Sequence, residues 1–549
     1  MEIMKKNQEF IVEIEDMSEE GAGIGKTDGY TWFIKDTVIG DVVRAGAMKM
    51  KKHYGFARLV EVLTPSPARV EPRCPVARQC GGCQLQAMDY QAQLAFKEKK
   101  IYNDLCRIGG LKDFKPEDME PIIGMEDPWR YRNKAQFPFG KDKNGRIITG
   151  FYAGRTHAII EQKDCLLGIE ENREILRIIK AFMEEFRIEP YDEAAHRGLV
   201  RHALIRKGFA TGELMVCLVI NGRRLPHSQE LAQRLLEIPG MTSISYNINT
   251  EKTNVIMGRE VVNLYGPGYI TDLIGPIRYQ ISPLSFYQVN PVQTQRLYQT
   301  ALEFAGLTGN ENVWDLYCGI GTISLFLAQK ARKVWGVEII PQAIEDARAN
   351  ARLNAIENVE FFTGRAEEVL PAWYEANHMP ADVIVVDPPR KGCDPVCLDT
   401  IVKMQPQKVV YVSCNSATLA RDVKYLGERG YEVKRVRGCD MFPGGVHCET
   451  VVLLSKLNTK QHIEVELNLD ELDLTSAESK ATYEEIKAYV LEHTGLKVSH
   501  LYIAQVKQKY GIIERENYNK PKSESSRQPK CPPEKEAAIT EALKFFRMI

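Results

Sequence analysis

The sequence predicts a multidomain protein with an N-terminal OB-like β-barrel, a mixed α+β central domain, a C-terminal doubly wound α/β domain and a small helical appendix. Three observations predict this organisation. The chain has 549 residues, 44% of them hydrophobic, and can therefore bury more than one core. Short alternating runs separated by turn signals fill residues 1–63. Between residues 290 and 456, runs rich in valine and isoleucine alternate with helical patterns, which is typical of a parallel sheet covered by helices.

The composition excludes several classes of protein and leaves others open. A charged fraction of 26% beside the large hydrophobic fraction is unlike a disordered, collagen-like or disulfide-stapled chain. No window approaches ~18 uninterrupted apolar residues, and the N-terminus lacks the apolar core of a signal peptide. We therefore expect a cytoplasmic monomer with no membrane partner, in which the 13 cysteines are reduced. The formal net charge of −1 does not indicate nucleic-acid binding, so any RNA contact must come from local basic patches.

Residues 1–63 are predicted to form the barrel. The segments that begin at Phe10 and Asp41 alternate between apolar and polar residues, and Asp28-Gly is a turn signal. Five short strands in a segment of this length fit a small OB-like barrel. A cluster of polar and basic residues should lie near a hairpin, where it could follow a phosphate backbone or form an ordinary solvated turn. Its members are Lys49, Lys51, Lys52, His53 and Tyr54.

Residues 64–280 are predicted to form the central domain, which is rich in strands such as Leu214-Met-Val-Cys-Leu-Val-Ile and contains a helical pattern at 89–108. Its first part holds three cysteines in a metal-ligand spacing, Cys74-x5-Cys80-x2-Cys83. Tetrahedral zinc and an iron–sulfur cluster would each need a fourth ligand. The spacing does not select Cys165 over Cys106 for that role, and it does not select iron over zinc.

Residues 281–456 are predicted to form the doubly wound domain, in which ligands bind at the carboxyl ends of the strands. The segment Asp315-Leu-Tyr-Cys-Gly-Ile-Gly-Thr322 follows one strand, and Glu338 ends the next. Glycines let the backbone approach a ligand closely. A carboxylate about twenty residues further along the chain can bind ribose hydroxyls. Ser324 stands where a dinucleotide site would have its third glycine, so the pattern favours S-adenosylmethionine over NAD.

Three further strand ends carry residues able to do chemistry. Asp387-Pro-Pro-Arg390 presents a carboxylate that could accept a hydrogen bond from an imide such as N3–H of uracil. Cys414 lies where a strand ends and a helix begins, and a helix N-terminus favours the nucleophilic thiolate. A lone cysteine is more often a buried filler, but a position beside a methyl-donor pocket favours a nucleophile. Glu449 precedes the last strand and could be a general base or a solvated acid.

Together these residues resemble the RNA uracil-C5-methyltransferases, specifically the iron–sulfur branch that modifies large-subunit ribosomal RNA. The resemblance covers about residues 1–456. Its most specific elements are Ser-Cys414-Asn, His-Cys-Glu449, Phe286-Tyr-Gln288-Val-Asn and the cysteine spacing. It implies that the barrel is a TRAM domain that contacts RNA and that the α/β domain is a Rossmann-like methyltransferase. It also implies that the helix at 89–108 packs on the catalytic domain.

The resemblance implies a site and a reaction. In the family pattern a [4Fe–4S] cluster is bound by Cys74, Cys80, Cys83 and Cys165. The positions that bind S-adenosylmethionine in the family pattern correspond to Gln288, Tyr317, Glu338 and Asp387. The family's catalytic pair corresponds to Cys414, which would add to C6 of a uridine in 23S ribosomal RNA, and Glu449, which would remove the C5 proton. The chain departs from the family at Ser416, where proline is common.

Two alternatives remain at this point. The same chemistry could act on the T-loop uridine of transfer RNA, or the chain could be a non-catalytic RNA-binding assembly factor, which the presence of both Cys414 and Glu449 argues against. The resemblance does not reach the acidic linker at 457–480 or the appendix at 481–549. The appendix has helical patterns at 481–493 and 499–509 and a final helix, and could be an RNA-binding element or a small capping subdomain.

Overall fold

The computed structural model describes residues 5–377, 379–457, 483–510 and 531–546 of the chain. Within it the chain forms two compact units, Met1–Thr459 and Lys460–Ile549. The predicted acidic linker beyond residue 457 lies outside the described residues.

The N-terminal residues form a six-stranded sheet in the order β1-β5-β6-β4-β3-β2, one strand more than predicted. Alternate side chains, among them Val12, Trp32, Ile34 and Val43, point into one core, as the alternating sequence predicts. The additional strand, β2, has only two residues and therefore no periodicity to detect. The strands are β1 Glu9–Glu13, β2 Asp16–Met17, β3 Gly23–Thr27, β4 Tyr30–Ile34, β5 Val42–Met50 and β6 Tyr54–Thr64.

The next segment leads to the C-terminal sheet rather than to the central one. It contains helix α1 (Tyr90–Arg107), a 3-10 turn (Pro116–Asp118) and strand β7 (Glu120–Ile123). The side chain of Asp89 caps α1 by accepting hydrogen bonds from two backbone N–H groups of its first turn.

A seven-stranded sheet in the order β10-β9-β8-β11-β12-β13-β14 forms the centre of the chain. All seven side chains of β12 are buried, which explains why its sequence is apolar throughout instead of alternating. Helices α2 and α3 contribute Ile179, Phe182 and Leu231 to the same core. The elements are β8 Lys134–Lys141, β9 Ile147–Tyr152, β10 Ile159–Glu161, α2 Glu171–Glu185, β11 Val200–Lys207, β12 Leu214–Ile220, α3 Ser228–Leu236, β13 Met241–Ile248 and β14 Glu260–Tyr265.

The C-terminal sheet has eight strands in the order β19-β18-β17-β20-β21-β23-β22-β7. Strands β17 to β21 are parallel, and β23 runs antiparallel to β21. The strand order reverses between β17 and β20, which opens a ligand crevice at their carboxyl ends. The elements are β15 Ile270–Ile274, β16 Ile277–Ile281, α4 Pro291–Ala305, β17 Asn312–Leu316, α5 Thr322–Ala328, β18 Lys333–Glu338, α6 Pro341–Leu353, β19 Val359–Thr363, α7 Ala366–Asn377, β20 Val383–Val386, α8 Pro395–Met404, β21 Lys408–Ser413, α9 Ser416–Gly427, β22 Tyr431–Cys439 and β23 Glu449–Lys456.

Parts of the segment 64–280 pack with this C-terminal sheet. Strand β7 pairs in parallel with β22, and Ile101 and Leu105 of α1 share a core with Trp314 of β17. The β15–β16 hairpin contributes Ile270 and Tyr279 to the core on the other face of the sheet. The central sheet therefore spans only Lys134 to Tyr265, a narrower range than the predicted domain.

The appendix is a unit of three helices, α10 (Tyr483–Thr494), α11 (His500–Lys509) and α12 (Pro533–Phe545). Each helix contributes to a common core that contains Ile486, Ile503 and Ile539, none of them exposed. The hydroxyl of Ser499 accepts a hydrogen bond from the backbone N–H of Tyr502 and so caps α11. Among the described helices of the whole chain, none is long and apolar enough to cross a membrane.

Candidate active site and cysteine cavity

A cavity of about 900 Å³ opens at the carboxyl ends of the parallel strands. It lies at the point where the strand order reverses, which is where doubly wound sheets bind ligands. The structure brings six residues singled out from the sequence onto its wall: Gln288, Tyr317, Glu338, Asp387, Cys414 and Glu449.

The turn between β17 and α5 forms one side of this cavity. Tyr317 has φ of +70°, in the left-handed region that side chains other than glycine seldom adopt. At Gly321, φ is +81° and an added Cβ would lie 3.0 Å from the ring of Phe361, so this position needs glycine. The tight turn places residues 317–320 on the cavity wall.

Glu338 is held in place by two backbone N–H groups. One carboxylate oxygen accepts a hydrogen bond from the N–H of Gly319 at 3.3 Å, and the other accepts one from the N–H of Ile340 at 3.1 Å. An ionised carboxylate has about four acceptor positions, so lone pairs remain for ligand hydroxyls.

Ser324, the residue that argued against a dinucleotide site, has a structural partner. Its hydroxyl donates a hydrogen bond of 2.5 Å to the buried carboxyl of Asp315. Burial raises the pKa of Asp315 to about 7, although this hydrogen bond opposes the shift. Serine at this position therefore supplies a hydrogen bond to one oxygen of a buried acid near the end of β17.

The register of the sheet explains why Cys414 and Glu449 meet. Ser413 of β21 lies opposite Thr450 of the antiparallel strand β23, so Cys414 and Glu449 come from adjacent strand ends. Cys414 directly precedes Asn415, the N-cap of α9, whose side chain accepts hydrogen bonds from two backbone N–H groups of the helix. The predicted nucleophile therefore lies at a helix start, beside a carboxyl group.

The electrostatic surroundings of Cys414 differ from the sequence prediction. Burial raises the pKa of its thiol to about 11, and the carboxyls of Glu449 and Asp387 add to this effect. The Arg390 guanidinium opposes the shift but does not cancel it. The expected stabilisation of a thiolate by the helix N-terminus is outweighed by burial and by two nearby acids.

Asp387 and Glu449 interact as two acids in one cavity. The side chain of Glu449 is 4% exposed, and burial raises its pKa, with a further contribution from the carboxyl of Asp387. Burial also raises the pKa of Asp387. Two nearby carboxyls resist double ionisation, so at neutral pH a proton is favoured on the pair.

The sequence analysis missed other residues on the cavity wall, among them Tyr298, Gly364 and Phe442. Gly364 directly follows β19, and the rule that ligands bind at strand ends would have found it. Tyr298 lies within a helix and donates a hydrogen bond of 3.0 Å to the hydroxyl of Thr322, which no local pattern predicts. Phe442 belongs to a loop without periodicity.

A second cavity, of about 360 Å³, is lined by four of the cysteines. These are Cys74, Cys80, Cys83 and Cys165. Cys106, the alternative fourth ligand, instead ends near the carbonyl of Phe114, at 3.9 Å. The geometry therefore favours Cys165 over Cys106, a choice that the spacing left open.

The sulfur atoms in this cavity have hydrogen-bond donors and positive charges nearby. The amide of Gln162 donates to the sulfur of Cys74 at 3.3 Å, and the N–H of Gly82 donates to that of Cys80 at 3.4 Å. Arg132 and Lys134 lie on the same wall. Burial raises the pKa of Cys83 to about 12. Within the described ranges, no three His, Cys, Asp or Glu side chains converge closely enough to hold a single metal ion.

The loop at residues 440–448 connects the two cavities. The carbonyl of Gly444 accepts hydrogen bonds from the N–H groups of Gln84 and Leu85, both at 2.9 Å, next to Cys83. Phe442 of the same loop lies on the wall of the larger cavity, and the loop leads directly to Glu449.

The chain is similar to several known proteins. A family model described as tRNA (Uracil-5-)-methyltransferase matches residues 90–457, and a TRAM domain model matches residues 5–60. A protein of Halalkalibacterium halodurans, named as an uncharacterized RNA methyltransferase, is 52% identical over 456 residues, which cover 83% of this chain and 98% of that protein. A protein of Listeria monocytogenes with the same description is 50% identical over 452 residues, 82% of this chain and 98% of the relative.

Among solved structures, the crystal structure of a Pyrococcus abyssi tRNA (uracil-54, C5)-methyltransferase in complex with S-adenosyl-L-homocysteine is similar to this chain. The two are 28% identical, with a TM-score of 0.65, and the similarity covers 81% of this chain and 99% of that one. The N-terminal TRAM domain and the Rossmann-like sheet of an S-adenosylmethionine-dependent methyltransferase are therefore both present here.

Proposed function

This chain belongs to the tRNA (uracil-5-)-methyltransferase family, and on that premise we propose that it methylates C5 of a specific uridine in 23S ribosomal RNA. The chain is an RNA methyltransferase, and the product would be 5-methyluridine. The observation that supports this proposal most is the single cavity that carries Cys414 and Glu449 together with Gln288 and Glu338. The alternative of a non-catalytic assembly factor is not kept, because the family is enzymatic.

The proposed reaction uses covalent catalysis because C5 of uracil is too weak a nucleophile to attack a sulfonium unaided. The thiolate of Cys414 adds to C6, forming an S–C6 bond and placing the electron pair of the former double bond on C5. That carbon attacks the methyl group of S-adenosylmethionine, whose S–CH3 bond breaks to leave S-adenosylhomocysteine. Glu449 then removes the C5 proton, the double bond re-forms and the S–C6 bond breaks, which restores the thiolate.

The raised pKa values fit a site that becomes active only when it is filled. In the empty cavity Cys414 is a thiol and a proton is favoured on the Asp387–Glu449 pair. A positively charged methyl donor would lower the pKa of all three groups, because an opposite charge nearby favours the ionised form. Glu338 and Gln288 would hold that donor, and ionised Asp387 would accept a hydrogen bond from N3–H of the uracil. An Asp387→Asn variant that binds and methylates RNA normally would contradict the last assignment.

We also propose that Cys74, Cys80, Cys83 and Cys165 hold a [4Fe–4S] cluster. Four thiols around a cavity of about 360 Å³, with N–H donors to their sulfurs, fit a cluster better than a single zinc ion, whose Zn–S bonds of about 2.3 Å need a closer set. Arg132 and Lys134 would balance the negative charge of the thiolates. When bound, the cluster supplies structural support for residues 74–83, since methyl transfer requires no electron transfer.

The N-terminal domain offers a surface for single-stranded RNA. Lys51 and Lys52 lie in the turn between β5 and β6, and Tyr54 begins the second strand. The rings of Phe33, Tyr54 and Phe56 lie beside this turn with centroids 5.7 Å apart. Aromatic rings next to lysines can stack bases and contact phosphates. The free energy of such RNA binding would offset the few kcal/mol needed to flip the target base out of its stack.

The RNA substrate distinguishes our proposal from its main alternative. The similar Pyrococcus abyssi protein is a tRNA (uracil-54, C5)-methyltransferase, which favours a transfer RNA substrate as the second candidate. Mapping 5-methyluridine in ribosomal and transfer RNA from a strain that lacks the gene tests both. Loss of the modification from 23S ribosomal RNA alone supports the proposal, whereas loss from the T-loop of transfer RNA alone supports the alternative.

The role of the helical appendix stays a hypothesis. The family match ends at residue 457, before this unit begins. Its three helices share their own core, which fits either an RNA-binding element or a small capping subdomain. RNA affinity that is unchanged after removal of residues 460–549 would exclude the first role.

A further inference from the structure

The turn that carries Cys414 is tied to a helix from a distant part of the chain. The hydroxyl of Ser416 donates a hydrogen bond of 2.5 Å to a carboxylate oxygen of Asp104. It accepts one of 2.8 Å from the ammonium of Lys100, and Lys100 and Asp104 lie 3.0 Å apart. Ser416 is 4% exposed, so water competes little for these bonds. The first residue of α9 is therefore anchored to α1 by a closed set of three side chains.

This anchor acts at a position where a local constraint is possible. Ser416 is the first residue of α9, and proline is favoured at the first position of helices in general. Proline there fixes φ near a helical value and so makes the helix start rigid by local means. Serine has no such constraint. The chain therefore has a tertiary anchor at a position where a proline would supply a local one.

The backbone before Ser416 still has the conformation that a proline would require. Asn415 has φ of −138° and ψ of 103°, the extended region to which a following proline restricts a residue. Replacing Ser416 with proline should therefore be compatible with the local fold. A Ser416→Pro variant therefore replaces the side-chain hydrogen bonds with a fixed φ angle in the same protein.

We infer that Ser416, Lys100 and Asp104 are positioning residues that fix the nucleophile turn, an inference that rests on the proposed role of Cys414. Cys414 lies two residues before Ser416, separated only by the N-cap. Hydrogen bonds to charged groups are stronger than neutral ones, so this set can hold the turn firmly. A displacement of about 1 Å at a reacting atom can cost on the order of 10² in rate, so the anchor should matter for C6 attack.

A purely structural role makes a different prediction. If the three side chains only helped α1 to pack on α9, loss of the hydroxyl would lower stability and leave the reaction rate of the folded enzyme unchanged. A positioning role instead lowers the rate of the covalent step with little effect on donor binding. Proline at position 416 should restore that rate, although it restores neither hydrogen bond.

The experiment compares Ser416→Ala, Ser416→Pro and a control, Lys99→Met. Lys99 lies next to Lys100 on α1, but its ammonium faces Asp16, at 3.6 Å, instead of α9. For each full-length variant we would measure the single-turnover methylation rate, the Kd for S-adenosylmethionine, the unfolding midpoint, and the rate at which iodoacetamide alkylates Cys414, read by peptide mass spectrometry.

We expect Ser416→Ala to lose roughly 10- to 100-fold in methylation rate with an unchanged Kd, and Ser416→Pro to recover most of that loss. Lys99→Met should match the wild type. Adding Lys100→Met should slow the wild-type enzyme more than it slows Ser416→Pro, because the proline makes the anchor unnecessary. Ser416→Ala at the wild-type rate, or Ser416→Pro as slow as Ser416→Ala, would overturn the inference.

The alkylation measurement separates this inference from the proposed function. If the wild type methylates no uridine, the proposed function fails, but the anchor is still tested. An alkylation rate of Cys414 that changes in Ser416→Ala and returns in Ser416→Pro supports the anchor, and equal rates in all variants contradict it.

Discussion

The ammonium nitrogen of Lys97 lies 2.6 Å from a carboxylate oxygen of Asp440, and neither side chain is exposed to solvent. Lys97 also donates to the carbonyl of Phe442 at 3.0 Å, and the hydroxyl of Tyr90 donates to the other oxygen of Asp440 at 3.0 Å. Helix α1 thus holds the start of the loop that leads to Glu449. With the anchor at Ser416, the same helix contacts the segments next to both candidate catalytic residues.

Replacement of Lys97 by methionine should strongly destabilise the protein. The carboxylate of Asp440 would remain buried without its cation, which typically costs about 3–5 kcal/mol. Urea unfolding of the full-length protein would measure this loss. Adding Asp440→Asn should recover much of it, because the unpaired charge is removed. A Lys97→Met variant as stable as Lys99→Met, whose lysine forms only an exposed ion pair, would show that Asp440 is not held as a charge.

Replacement of Glu449 by glutamine should trap the enzyme on its RNA. The amide cannot accept the C5 proton, so elimination fails and the S–C6 bond to the methylated base persists. The adduct would run as a slower band on a denaturing gel, and it should be absent when Cys414→Ala is added. Normal release of product by Glu449→Gln would exclude this residue as the base.

The same substitution should change how stability depends on pH. Burial and Asp387 raise the pKa of Glu449 in the folded protein, whereas the unfolded chain ionises near the ordinary value of 4.5. The folded state therefore binds more protons above that value, and stability falls as pH rises toward the raised pKa. Glu449→Gln removes this loss, so it should stabilise the protein more at about pH 8.5 than at about pH 5.5. Urea unfolding at both values measures the difference, and equal effects would contradict the raised pKa.

The cysteine cavity makes a prediction about metal content. Protein purified anaerobically should be brown and contain about four iron and four sulfide ions per chain. Cys165→Ser should lose most of both, whereas Cys106→Ser should keep them, because Cys106 lies outside the cavity. Stoichiometric zinc without iron, or equal losses in the two variants, would contradict the assignment.

Local sequence patterns were enough to predict several parts of this structure. The Val- and Ile-rich runs gave the parallel strands, and the residues at their ends, Glu338 and Cys414 among them, line one cavity because parallel strands end at the same edge. The three helices of the appendix also follow their periodicity. Cytoplasmic location and a monomeric state stay predictions.

Other features could not be predicted because they depend on pairing between distant segments. Strand β7 joins β22 across more than three hundred residues, and nothing in Glu120–Ile123 signals that partner. Lys97 and Asp440 are likewise separated by more than three hundred residues in the sequence. The raised pKa of Cys414 was missed for a related reason, because both the burial of its thiol and the two acids that add to the shift depend on other parts of the chain.

Replacement of Cys414 by alanine tests the central claim most directly. The account predicts that the variant forms no 5-methyluridine in RNA that the wild type methylates, while its Kd for S-adenosylmethionine stays close to the wild-type value because Glu338 and Gln288 are intact. Measurable turnover by Cys414→Ala would contradict covalent catalysis by this residue.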